Sequence, residues 1–408
     1  MIKSVAIRNF KSIDRLRVSL GPLCVLVGAN AAGKTNFVDA FRFVQECIKD
    51  GISYAVGRRF GSRGVRCRRR YDRTTEFSMD VEPIEAQPAI FVELMRAETE
   101  PASRYVAKSF VYSFRFEHGD GEFLITAEEF RAGVESVAKG EPRRRQISFA
   151  RKEAEVRLES PRLGEEPVLV PHERRDSLFL ASGFFSTASS QLADYVSGWK
   201  FFEIDPKEAR TPRLAESVVS LGAHAENLPL LLDQVIHKGD QESYALGQRI
   251  QQLMQSMVPG FDAWKTEQMY DGRIGFRIRE TGTRSPFPPE LVSDGTVFLL
   301  SLLTALLVQL KPAVIFIEEP ERGLHPQLME GLVDLMRQVS ARTQVIATTH
   351  SPDLVRHLRP DEVYMVDKVD RATKVVRASS VEQIEQFLQH FTIDELWLQG
   401  YLQAGLPI

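Results

Sequence analysis

The eight residues Gly28-Ala29-Asn30-Ala31-Ala32-Gly33-Lys34-Thr35 constrain this chain more than any other stretch of it. They fit the spacing G-x-x-x-x-G-K-S/T, and their surroundings agree: the apolar run Leu23 to Val27 leads straight into Gly28, and a helix is predicted from about Lys34 to Lys49. That run has the length and β-branched content of a parallel strand buried on both faces. Each residue type in the loop has a physical reason. Glycines let the backbone wrap a phosphate, successive N–H groups and the helix N-terminus attract its charge, Lys34 reaches the terminal phosphates, and the Thr35 hydroxyl suits Mg2+. An accidental glycine-rich turn is the bland alternative, and the flanking strand and helix argue against it.

The rest of the chain is organised around that loop. With 408 residues at 43% hydrophobic, it can bury one composite core or two smaller ones. Ile2, Val5 and Ile7, then Leu16, Val18 and Leu20, alternate with polar residues, the signature of paired strands at a sheet edge, until Gly21-Pro22 breaks the pattern. Alternation returns in Val106 to Glu117 and Glu122 to Glu129, joined by His118-Gly119-Asp120-Gly121 as a hairpin turn. The polar stretch from Gly140 to Arg175 holds few apolar anchors and is expected to be loops. From Leu178 to Val258 the chain reads as mostly helical with a strand around Lys200 to Ile204, and Gly272 to Glu280 alternates again.

After Pro289 the pattern is helix Gly295 to Leu310, buried strand Ala313 to Ile317, helix Pro326 to Ser340 and buried strand Gln344 to Thr348, which indicates a parallel α/β sheet. Residues 1–50 and 290–408 are therefore expected to form one core, interrupted by an antiparallel and helical insertion over 51–289. No apolar run approaches the roughly 18 residues of a membrane span, and the N-terminus lacks a signal peptide's apolar centre, so a cytoplasmic location without membrane attachment is expected. Cys24, Cys47 and Cys67 have no zinc-site or disulfide spacing and read as free thiols.

Three further segments carry chemistry. Ala313 to Glu319 is an apolar strand ending in two carboxylates, Glu318 and Glu319, at the edge where α/β sheets place ligands. Ser293-Asp294-Gly295-Thr296 puts a capping serine and a glycine at a helix start, which makes an anion site. Thr349-His350-Ser351-Pro352 follows the last buried strand. Taken singly, these would read as solvated acids, an ordinary helix cap and a structural histidine. Their order along the chain argues otherwise.

In that order the motifs resemble those of ABC-class P-loop ATPases: Walker A at Gly28 to Thr35, signature at Ser293 to Gly295, Walker B at Ala313 to Glu319, a D-loop-like turn at Pro320 to Pro326 and a switch histidine at His350. Asn9-Phe10-Lys11-Ser12 ahead of the loop, Leu221-Gly222 with Glu226-Asn227-Leu228, and Glu395-Leu396-Trp397 with Gly400 are also similar to one bacterial group of compact AAA-family ATPases related to RecF, SMC and OLD-type proteins. The chain is identified as a member of that group.

The resemblance implies a P-loop NTPase fold of ABC-head type, with a mixed sheet flanked by helices. It implies ATP held by Gly28, Ala29, Asn30, Ala31, Ala32, Gly33, Lys34, Thr35 and Asn36 of one protomer and by Ser293, Asp294 and Gly295 of a second, in a head-to-head homodimer. Thr35 and Glu318 would support Mg2+, with Lys34, Glu319 and His350 as the catalytic set and Glu319 polarising the attacking water. Glu318 stands where Asp is usual, one methylene longer, so the metal geometry must adjust, which leaves both normal and slow turnover open. Gln87 lies near the place of a Q-loop glutamine, but its surroundings do not support that role.

Between Arg58 and Arg73 there are eight arginines and one acid, with Phe60 and Tyr71 interleaved, and Arg143-Arg144-Arg145 forms a second cluster. A net charge of −3 means that any DNA or RNA contact must come from such local patches. A solvated or partner-facing loop is the competing reading. Too little chain follows His350 for the Toprim nuclease of full OLD proteins, and no heptad stretch is present for an SMC coiled coil. The resemblance therefore implies an isolated ATPase head, with an antiphage-defence subunit controlling a separately encoded effector as the leading expectation. The alternatives are a RecF-like DNA-repair ATPase, a transporter's energy-coupling subunit, and an ATP-binding pseudoenzyme or scaffold. The long separation of Thr35 from Ser293 disfavours the transporter.

Overall fold

Leu23–Val27 is a strand with every residue buried, and it runs through the glycine loop into the helix Lys34–Lys49, as the sequence pattern requires. The computed structural model describes the chain apart from residues 68–71, 84–90, 95–102, 120–122, 137–143, 160–166, 173, 183–186, 219, 236–240, 309–313, 383 and 404–408. Gln87, Arg68, Arg69, Arg70, Tyr71, Arg143 and Ala313, together with Asp120 and Gly121 of the expected hairpin turn, lie outside the described residues. The chain divides into two compact units, Met1–Trp199 with Pro360–His390 and Gln399–Ile408, and Lys200–Arg359 with Phe391–Leu398.

In the first unit, Leu23–Val27 pairs in parallel with Val363–Val369, which pairs antiparallel with Ala372–Arg377. The same unit holds a nine-stranded antiparallel sheet in the order Val168–Pro171, Glu155–Glu159, Arg144–Lys152, Phe123–Ser136, Ser103–His118, Thr74–Val81, Ile2–Phe10, Ile13–Ser19, with Phe91–Leu94 also paired to Ser103–His118. The opening pair lies at a sheet edge as expected, with Ile13–Ser19 outermost. The Lys34–Lys49 helix buries Phe37, Phe41, Phe43, Val44 and Ile48. Phe43 stacks on Phe77 and Phe116 at ring separations of 5.4 and 5.7 Å, so an aromatic layer joins helix and sheet.

The stretch from Gly140 to Arg175 departs from expectation. Instead of loops it carries three strands, Arg144–Lys152, Glu155–Glu159 and Val168–Pro171. Ile147, Phe149, Val156 and Leu158 are buried at alternate positions, with Gln146, Ala150, Glu155, Arg157 and Glu159 exposed beside them. An antiparallel strand needs only one apolar face, so a segment that is polar on average still satisfies it.

The second unit contains parallel strands Lys200–Phe202, Val314–Glu318 and Gln344–Thr349, in register Ile315 opposite Lys200 and Val345, with Phe201 stacked on Phe316 at 4.4 Å. The helices Asp294–Leu307 and Met329–Ser340 alternate with these strands as expected. Arg213–Leu214, Arg273–Glu280 and Phe261–Gln268 form a separate antiparallel sheet beside the helix Gln241–Met257. Among the described residues no helix is long and apolar enough to cross a membrane.

Candidate functional site

The glycines of the first loop are required by two different neighbours. A Cβ on Gly28 would lie 2.2 Å from the Val366 carbonyl oxygen, so Gly28 lets the strand end pass against its parallel partner. Gly33 has φ +113, and a Cβ there would lie 2.1 Å from Thr373 Oγ1. Ala31 also adopts positive φ (64°), which turns the loop back toward the helix. Lys34 Nζ donates to the carbonyls of Gly28 at 2.5 Å and Ala29 at 3.1 Å, placing the ammonium inside the loop. Ala29, Asn30, Ala31 and Thr35 are exposed. The first turn of this 16-residue helix contains no acid that would offset the positive field at its N-terminus.

A chain of neutral hydroxyls supports the loop from behind. Asn36 Nδ2 donates to Ser12 Oγ (2.7 Å), the Ser12 and Thr373 hydroxyls lie 2.7 Å apart, and Thr373 Oγ1 donates to the Ala32 carbonyl (3.1 Å). Asn36, expected as a nucleotide contact, thus has its amide engaged on Ser12. Sequence reasoning missed Thr373, which no motif marks; Ser12 sits in the quoted Asn9–Ser12 turn, but nothing in its type announced the contact.

One arginine of the basic cluster is structural. Arg59 is buried, pairs with Asp39 through Nε (2.8 Å) and Nη2 (2.7 Å), bonds Glu46 and the Ala55 carbonyl through Nη1, and lies 5.0 Å over the Phe43 ring. Burial pushes the Asp39 carboxyl up, but Arg59 and then Lys11 outweigh it and hold the group below the ordinary carboxylate value. Arg58 pairs with Glu46 at 2.9 Å and is exposed, as are Arg63 and Arg73.

In the second unit, Ser293 caps the helix Asp294–Leu307, its hydroxyl accepting from Thr296 N at 3.2 Å. Ser293 and Asp294 are exposed. Gly295 serves a close approach: a Cβ there would lie 2.5 Å from the Gly323 carbonyl oxygen, so the helix start packs on the turn that follows the Val314–Glu318 strand. Arg210, which sequence reasoning missed, grips the loop by donating to the carbonyls of Pro289 and Val292 (both 2.8 Å) and to Asp294 (2.6 Å). It lies far away in sequence, and no motif marks it.

Glu319, directly after the buried strand, has left-handed φ (48°) although it is not glycine. Its N–H donates to the Thr348 carbonyl at 3.0 Å, and its Oε1 lies 3.0 Å from His350 Nδ1. A carboxylate and an imidazole in contact, both partly exposed, form a pair able to orient and deprotonate a water. Two residues further on, Glu321 is buried, accepts the Thr349 hydroxyl at 2.5 Å and, among the described residues, leaves Oε2 without a partner. Burial raises its pKa, the Thr349 bond offsets part of that, and the charge of Glu319 adds to it. His325 caps a short turn, accepting from Gln327 N at 3.3 Å. Among the described residues no group of three His, Cys, Asp or Glu side chains is arranged to hold a metal by itself.

A family model described as "AAA domain, putative AbiEii toxin, Type IV TA system" matches residues 23–356. Among solved structures, the chain is similar to an Smc head bound to the C-winged helix domain of ScpA, with 15% identity and a TM-score of 0.54, covering 92% of this chain and 97% of that one. It is similar also to an Smc head domain with an extended coiled coil bound to the C-terminal domain of ScpA derived from Pyrococcus furiosus, at 13% identity and a TM-score of 0.51, covering 95% and 99%. At these identities the likeness is one of fold, that of an SMC-head P-loop NTPase. No curated protein matches the chain.

Proposed function

We propose a function from this premise: the chain belongs to the AAA-domain family whose model spans residues 23–356. It is an ATP-binding and ATP-hydrolysing switch. The observation that carries this reading is the loop Gly28–Thr35, with Lys34 inside it, set on the N-terminus of a 16-residue helix whose first turn is free of acids. Gly28 to Thr35 are the residues that would hold the triphosphate, and Thr35 and Glu318 those that would support Mg2+, which supplies charge neutralisation when bound. Glu319 would take the proton of the attacking water, with His350 orienting the carboxylate. Equilibrium binding of ATP to the wild type and to Lys34→Ala, together with phosphate release by the wild type and Glu319→Gln, tests this directly. Wild-type protein that neither binds ATP nor releases phosphate would remove the reading.

The exposed Ser293 and Asp294, presented at a capped helix start, support a second step in which this element meets the ATP held by another copy. ATP then acts as an interface component of a head-to-head homodimer. A larger species of Glu319→Gln in light scattering, dependent on ATP, is the expected sign. The switch would control a nucleic-acid-linked process through a separately encoded partner. The family description speaks for a toxin–antitoxin or antiphage-defence setting, and the two solved Smc heads, each bound to a domain of another protein, illustrate how such a head takes a partner. A RecF-like repair ATPase is the alternative. Arg58, Arg63 and Arg73 are the exposed arginines among the described residues of the basic cluster, with Arg58 also paired to Glu46, whereas Arg59 is committed internally. DNA-stimulated phosphate release, lost at high salt, would favour it. A nucleotide-binding scaffold with negligible turnover is the third reading, motivated by Glu318 in place of Asp.

A further inference from the structure

Two other buried carboxylates, Glu46 and Glu128, show what full engagement looks like, whereas Asp394 leaves Oδ1 without a partner among the described residues but is paired with Arg356 through Oδ2. Glu46 faces Arg58 and Arg59, and Glu128 accepts from Phe179 N, Leu180 N and Tyr112 OH at 2.7, 2.9 and 3.0 Å. Glu321 differs from both. Only 9% of it is exposed, its carboxyl accepts from the Thr349 hydroxyl and is touched by its own backbone N–H, and among the described residues Oε2 has no side-chain partner and is buried. Leaving such an oxygen unpaired is unfavourable, so the position has a function that outweighs the cost.

That function follows from what Glu321 connects. Thr349 Oγ1 donates to Glu321 and accepts from Ser351 N at 3.0 Å, so one hydroxyl joins the turn after the Val314–Glu318 strand to the segment that carries His350. Within the turn, Arg322 N donates to the Glu319 carbonyl and Leu324 N to the Glu321 carbonyl, both at 3.0 Å. Glu319 is therefore bracketed. Its own N–H holds Thr348 on one side, and Glu321 holds Thr349 on the other. A non-glycine residue at φ 48° persists only where its surroundings over-determine it. This bracket supplies that determination.

We propose that Glu321 is a positioning residue, whose carboxyl, braced on Thr349, holds the Glu319 carboxylate and the His350 ring in the 3.0 Å contact that hydrolysis uses. The inference rests on the ATPase reading. The brace needs an oxygen acceptor and no charge, because the Thr349 hydroxyl is the donor; burial, which favours the neutral acid, agrees with this. Glutamine supplies the same acceptor, whereas alanine supplies none.

The test uses the full chain and compares wild type, Glu321→Ala, Glu321→Gln and Thr349→Val. Glu321→Ala and Thr349→Val are expected to lower kcat by about tenfold or more with the ATP Kd changed by less than about twofold, since the reacting groups are displaced and the phosphate clamp is not. Glu321→Gln is expected to restore kcat to within about threefold, and the double variant Glu321→Ala with Thr349→Val to fall no further than either single one. Hydrogen exchange at the Arg322, Leu324 and Ser351 amides should quicken in Glu321→Ala and recover in Glu321→Gln. Unchanged kcat in Glu321→Ala, failure of glutamine to rescue, or a parallel loss of ATP affinity overturns the proposal. If the wild type gives no turnover, the ATPase reading fails on its own; the brace is then judged by exchange, and unchanged exchange at those three amides in Glu321→Ala overturns it.

Discussion

The phosphate-loop end of the first unit and the carboxylate end of the second are built on opposite principles. Around Gly28–Thr35 the supporting polar groups are matched: Asn36, Ser12 and Thr373 pass a hydrogen bond to the Ala32 carbonyl, and Arg59 meets Asp39 and Glu46. Both ends hold a non-glycine residue at positive φ, Ala31 and Glu319, but near Glu319 a buried carboxyl oxygen also lacks a partner among the described residues. A binding loop gains from being rigid before its ligand arrives, because ordering it on binding would subtract from affinity. A hydrolytic end that must change with the nucleotide can hold strain, provided neighbours keep it in place. The contrast separates the proposed phosphate clamp from the proposed hydrolytic centre.

The largest way to break this contrast is Glu319→Gln, expected to lower phosphate release by about 10²–10⁴-fold while ATP binding stays intact, as loss of a general base does. Equal loss of binding would show that the carboxylate end also builds the clamp. Next is Lys34→Ala, expected to weaken ATP by about 10- to 100-fold through loss of charge-assisted phosphate contacts, read by isothermal titration. Gly33→Ala should cost about 1–3 kcal/mol in thermal or denaturant unfolding, because its φ is left-handed and its Cβ would meet Thr373. Relief of part of that cost by Thr373→Ala would locate the clash.

The two ends should also differ in sign with pH. Asp39 titrates below its ordinary 3.8, so its contribution to stability is present above that value and is lost as pH falls through the lower folded-state pKa. Glu321 titrates above its ordinary 4.5, so the unfolded carboxyl ionises first and stability declines as pH rises from 4.5 toward the raised folded-state value. Glu321→Gln should therefore become more stable relative to wild type across that rise, and Asp39→Asn less stable except at low pH. Urea unfolding at a series of pH values measures both. The smallest effect expected is for Ser293→Ala, about 1 kcal/mol from the lost helix cap, with ATP binding to the isolated protomer unchanged.

Much of the frame was legible because it rests on short-range patterns. The strand Leu23–Val27, the loop and the helix Lys34–Lys49 follow from apolar run length, glycine spacing and helical periodicity. The alternation after Pro289 was equally readable, and placed Glu319 and His350 at the ends of buried strands. The strands between 144 and 171 were hidden because their few apolar residues count by position and not by number. Arg59 read as part of a nucleic-acid tract, since eight arginines in a row of sixteen residues look alike until one finds Asp39 beside it.

By itself the sequence determined the order of motifs, the elements that carry them and the chemistry each residue type can perform. Those properties are set by neighbours in the chain, and neighbours are what a sequence displays. Only the tertiary structure decided which groups meet. It set Thr373 behind Gly33, Arg210 on the signature loop, Gly323 against Gly295, and Glu321 on Thr349. Each of these contacts joins segments distant in the chain, and whether a glycine, a hydroxyl or a bare carboxyl oxygen is tolerable depends on the atoms that folding brings within a few ångströms of it.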